Sequence, residues 1–157
     1  MPRPFSQDGT SITQVPTITA GAYSAKDAVG GLLTFANAAR AAGGTGIIHS
    51  LTLADKADAK AVLELWLFDR TFAAVADNAA FDPTDAELLT CVGVIPIAAA
   101  DYFSAADNGA ACVRNINLQY MLKSDGTALF GQLKCIATPT YASTSDLSVT
   151  LAIEYRD

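Results

Sequence analysis

A chain of 157 residues is one domain's worth, long enough to build a core without disulfide or metal staples, and its net charge of −6, with no basic run, excludes a nucleic-acid interface built on Lys and Arg. Hydrophobic residues make up 51% and charged residues 17%, below the roughly one quarter usual for a free-standing domain, so the surface is either rich in small polar residues or partly covered by a partner. No apolar run approaches the ~20 residues that cross a bilayer, and the start lacks the apolar stretch of a secretory signal, so no membrane contact and synthesis in a reducing cytoplasm are expected.

Taken in chain order, the opening "MPRPFSQDGTSITQVPTITAG" carries three prolines and a mixed polar and apolar make-up. It reads as an extended N-terminal arm over residues 1–20, followed by a single domain over 21–157. "AYSAKDAVGGLLTF" begins a strand, with Gly30-Gly31 as a bulge or bend. "FANAARAAGG" leaves a helical turn open. "GIIHSLTLAD" puts Ile47, His49, Leu51 and Leu53 on one face of a strand. "AVLELWLFDR" places Leu63, Leu65 and Leu67 on one face and Val62, Glu64, Trp66 and Phe68 on the other, so this strand is central or covered by another subunit.

"DPTDAELL" is the best short helix, with Asp82 as cap, Pro83 at the first helical position and Asp85 three residues after the cap. "ELLTCVGVIPI" is a strand ending near Pro96, and Asn108-Gly109 marks a turn. Over 113–137, Asp125-Gly126 reads as a two-residue hairpin turn. It pairs Ile116 with Cys135, Leu118 with Leu133, Tyr120 with Gly131 and Leu122 with Leu129 on one apolar face. "DLSVTLAIEYRD" alternates throughout, with Leu147, Val149, Leu151, Ile153 and Tyr155 on one face. Seven to nine strands with little helix give an all-β antiparallel sandwich, with a jelly roll as the preferred topology.

Chemistry is scarce. Asp77, Asp82, Asp85 and Glu87 lie close in sequence, but the calcium-loop pattern fails, with Ala79 and Phe81 at ligand positions and Asp82 where Gly is required. These acids read instead as helix-start and loop residues. His49, the only histidine, reads as a structural residue on the inner face of its strand. Cys91, Cys112 and Cys135 are too few and too scattered for a zinc site beside one histidine. Cys112 and Cys135 share the core face of the expected hairpin, offset by about 13 Å, so no disulfide joins them. No catalytic, cofactor or metal residues are assigned.

Three stretches carry a resemblance: "TAGAYSAKDAVGGLLTFANAAR", "GIIHSLTLADK" and "LELWLFDRTFAAVADNAAFDPTDAEL". They resemble a family of small tailed-phage virion structural proteins, over about residues 17–97. The resemblance implies a β-sandwich subunit of the particle. The expected role is a non-enzymatic head decoration or cement protein that binds the major capsid protein as a homotrimer at the phage head surface. The alternative is a tail-fibre or appendage module that binds a receptor or glycan. Pro4, Phe5, Ile12 and Val15 from the arm, with Trp66 and Phe68, are the expected capsid or oligomer contacts.

Overall fold

A computed structural model describes residues 8–123 and 125–157. Among these residues ten strands are divided between two antiparallel sheets: β1 (Gly9–Gln14), β2 (Ala28–Phe35), β3 (Thr45–Asp55), β4 (Leu63–Phe68), β5 (Cys91–Ile97), β6 (Tyr102–Ser104), β7 (Gly109–Val113), β8 (Leu118–Met121), β9 (Leu129–Cys135) and β10 (Leu147–Tyr155). One sheet runs β1-β10-β3-β7-β6, with β8 also on β3; the other runs β2-β9-β4-β5. β7 and β8 pair with successive stretches of β3 and act as one interrupted strand. The break holds Asn115 and Asn117 at positive φ, a conformation asparagine tolerates.

The pairs β1–β10, β2–β9, β3–β7/β8 and β4–β5 nest inside one another, first strand with last and innermost strand with innermost. A long antiparallel ribbon wound in this way is a jelly roll. Its core is the two inward-facing sets of alternating residues, among them Leu51 and Leu53 of β3, Leu63, Leu65 and Leu67 of β4, and Leu147, Val149 and Leu151 of β10, all fully buried.

Several expectations change. Residues 9–14 are not an arm but β1, an edge strand of the domain's own sheet, and Ile18 is fully buried. The prolines that made the segment look loose bracket the strand instead of interrupting it. The expected 113–137 hairpin does not form: β8 pairs with β3, whereas β9 lies in the opposite sheet between β2 and β4. Alternation records which face is buried. It does not record which strand lies alongside, and both segments point apolar residues inward from opposite layers.

His49 is on the outer face. The β3–β10 register slips between Ala152 and Ile153, so Ser50 pairs with Ala152 and Ile48 with Ile153. That bulge skips His49 and reverses the facing of the residues before it. Cys112 also faces outward, beside inward-facing Ala111, and all three cysteines are free. The helix is the single turn α1 (Asp85–Leu88), capped by Thr84 rather than Asp82. Thr84 Oγ1 accepts from the Glu87 N–H while the Glu87 carboxylate accepts from the Thr84 N–H at 2.8 Å, a reciprocal capping box. Gly30, expected at a bulge, has φ +76° beside the β2–β9 register shift.

Candidate functional site

The acids near α1 are committed to holding a loop. Residues 69–84 fold over the outer face of β4 and β9. Asp77 anchors this loop: Oδ1 accepts the Tyr23 hydroxyl at 2.6 Å and the Gly30 N–H at 2.6 Å, and Oδ2 accepts the Thr19 hydroxyl at 2.7 Å. Burial and the Asp77 bond push the Tyr23 phenol above its ordinary range. The Thr84 N–H and hydroxyl, with the Ala73 N–H, hold the Glu87 carboxyl below the usual carboxylate range. Asp82 and Asp85 are exposed. Among the described residues, no three His, Cys, Asp or Glu side chains stand where they could share a metal ion.

Gln132, which no sequence pattern marked, completes the loop's attachment. Fully buried, it donates to the Gly30 carbonyl at 2.8 Å and the Val75 carbonyl at 2.6 Å, and accepts from the Val75 N–H at 3.0 Å. It stands at an outward position of β9, opposite Trp66, where a polar residue fits the strand's alternation, so the sequence carried no signal of its burial. The loop also explains why β4 is apolar on both faces. Phe72 stacks 4.1 Å from Phe68, which is fully buried, and Phe81 lies 5.2 Å from half-buried Trp66. The Trp66 indole donates to Glu64, and Lys134 bonds the same carboxylate while lying over the indole ring. Phe68, expected as a contact with another subunit, is therefore covered by its own chain, and Trp66 is partly covered.

The other expected contacts separate. Ile12 is half-buried against the core, Val15 is 59% exposed, and Pro4 and Phe5 lie outside the described residues. His49 Nε2 sits 2.6 Å from Glu154 Oε2, and Arg156 holds the other oxygen of that carboxylate at 3.0 Å. Nearby, an open hollow of about 640 Å³ is lined by Thr45, Gln119, Met121 and Arg156 among others.

The face formed by β10, β3 and β7 was not singled out by sequence reasoning. Across it, exposed Phe103 aligns with Ala110, Ala54 and Ser148, and the adjacent row is Cys112, Thr52, Thr150 and Thr13. Neither row holds a charged side chain, although the chain carries a net charge of −6.

No protein-family model and no curated protein sequence matches this chain. Among solved structures it is similar to one described as PRD1 vertex protein P5, at 14% identity and TM-score 0.35 over 96% of this chain and 97% of that one. A structure of infectious bursal disease virus, Gt strain, is similar at 12% identity and TM-score 0.35, over 95% of this chain and 37% of that one. A Desmodium yellow mottle tymovirus structure is similar at 14% identity and TM-score 0.28, over 99% and 85%. Likeness this distant assigns neither a function nor a partner.

Proposed function

We propose that this protein is a non-enzymatic structural component of a virion, a decoration or cement protein that coats a phage head by contacting the major capsid protein as a symmetric trimer. The observation that carries the reading is the uncharged outer sheet face running from Phe103 to Ser148 and from Cys112 to Thr13. Depletion of charge is one feature of an interface core, and Phe103 supplies its exposed aromatic, with small Ala, Ser, Thr and Cys side chains making up the rest of the two rows. The resemblance of residues 17–97 to tailed-phage virion proteins agrees with it. The acids and the histidine supply no competing site, because Asp77, Glu87 and His49 already have partners within the chain. Of the contacts expected from sequence, Val15 remains the exposed member, with Pro4 and Phe5 as a tether ahead of β1.

Purified protein is mixed with capsid shells that lack it. Stoichiometric binding that raises the shells' heat resistance is the expected result. Failure to bind, combined with a hit on a glycan array, would replace this reading with a receptor-binding role on a tail appendage.

A further inference from the structure

Every open sheet invites another strand, and proteins guard their edges. Three edges of this jelly roll are guarded. The outer side of β2 is covered at its start by residues 78–81, through the bonds of Ala28 N–H to Ala79 O (2.8 Å), Asn78 N–H to Ala28 O (2.9 Å) and Phe81 N–H to Lys26 O (2.9 Å), and the strand is then bent at Gly30 beside its register shift. β5 contains Pro96 and a register slip against Phe68. At the far side of the other sheet, β6 is three residues long and β8 four.

The fourth edge, β1, is different. Its sequence "GTSITQ" has no charge and no proline, and its pairing with β10 has no register slip. The Tyr155 N–H bonds the Asp8 carbonyl at 2.7 Å. By ladder alternation, the N–H and C=O groups of Thr10, Ile12 and Gln14 then point to β10, and those of Gly9, Ser11, Thr13 and Val15 point away from it. Ser11, Thr13 and Val15 are exposed. The outward Thr13 carbonyl takes a bond from its own neighbour, Gln14 Nε2, at 3.0 Å, a local substitute for a missing strand.

We infer that β1 is a strand-pairing edge whose occupant is β1 of a second copy, antiparallel about a two-fold axis through Ile12. One register satisfies every constraint. Ser11 of each chain meets Thr13 of the other and Gly9 meets Val15, so all the outward groups pair with one another. Ile12 meets Ile12 at a non-hydrogen-bonded position, where side chains come closest. Each half-buried Ile12 gains an apolar neighbour. Net charge of −6 on each copy opposes self-association, so a contact between copies must run through a strip without charge, and β1 has none; the identical partner is selected by this self-complementary register. A two-fold contact also complements the proposed trimer, because a three-fold interface alone closes a ring, whereas adding a two-fold contact joins rings into a sheet. The inference extends the assembly reading, but the pairing is measurable without any capsid.

The test is a cross-link. The register puts the two Ile12 Cα atoms ~4.5 Å apart, within disulfide range. Ile12→Cys, oxidised mildly as the full chain, is expected to give a two-chain band on a non-reducing gel. Wild type and Thr10→Cys, whose position faces Gln14 of the second copy, should not. Thr13→Pro in the same background removes an outward N–H without touching the β10 ladder and should abolish the band. If Ile12→Cys lowers stability, a charge pair decides instead, by sedimentation velocity across a concentration series. Ser11→Glu with Thr13→Glu should lose the association, and Ser11→Glu with Thr13→Lys should keep it. No cross-link from a folded variant, or association indifferent to Thr13→Pro, overturns the inference. Pairing without shell binding would leave it standing and remove the decoration role.

Discussion

Removing the Asp77 carboxylate tests whether the acids beside α1 are structural. Its three bonds, from Tyr23, Thr19 and Gly30, tie the segment before β2 and the β2 bulge to the loop that covers β4. Hydrogen bonds to a charged acceptor contribute about 1.5–3 kcal/mol each. Asp77 is half-exposed, and water partly replaces what is lost, so Asp77→Ala is expected to cost about 2–4 kcal/mol in total. For a domain of this size that lowers Tm by roughly 5–12 °C. Asp77→Asn, which keeps an acceptor but loses the charge, falls between. Asp82→Ala, at an exposed carboxylate, stays within about 0.5 kcal/mol of wild type. Urea unfolding followed by the fluorescence of Trp66, the only tryptophan, reads all three variants beneath the same loop. Equal stabilities for Asp77→Ala and Asp82→Ala would refute the anchoring role. So would a calcium-dependent rise in Tm that vanishes in Asp82→Ala.

Other outcomes follow from the same structure. Gln132→Leu leaves the Val75 N–H and C=O and the Gly30 C=O without their partner, and should cost about 2–4 kcal/mol by urea denaturation. Tyr141→Phe removes a buried hydroxyl that has no hydrogen-bond partner among the described residues, and thermal unfolding should show unchanged or slightly raised stability. Gly30→Ala forces a side chain into a positive-φ position against Pro16 and should lower stability by about 1–3 kcal/mol. Burial raises the Glu64 carboxyl pKa, but the bonds from Trp66 and Lys134 outweigh it and leave the group below its usual range. Its contribution to stability is therefore present above the unfolded value of about 4.3 and is lost as pH falls through the folded value. Glu64→Gln should flatten that acid limb in a pH series of urea midpoints.

The strands were legible wherever one face is buried and the other wet. β10 and β5 could be read from alternation and Pro96, and the bend at Gly30 from its paired glycines. Partners were not legible. The Asp125-Gly126 step fitted a hairpin, but the chain there passes from β8 in one layer to β9 in the other. A single bulge carried His49 to the outside, a shift that no residue type near it announces. β1 was misread because Ile12 is its only large apolar residue, and an edge strand that buries little leaves little pattern. The covering loop was hidden for a related reason: Phe72, Val75 and Phe81 follow no period, yet they cover β4 and leave Phe68 no surface to offer. The uncharged outer face was invisible because its residues come from five strands far apart in sequence.

Under the proposed function the genome that encodes this chain also makes virus particles, and the most direct measurement of the central claim is cryo-electron microscopy of those particles. The account predicts jelly-roll density repeated over the head surface, with the Phe103 to Ser148 face turned against protein. Particles that lack the chain altogether, or carry it only at the tail with that face bare to solvent, would contradict it.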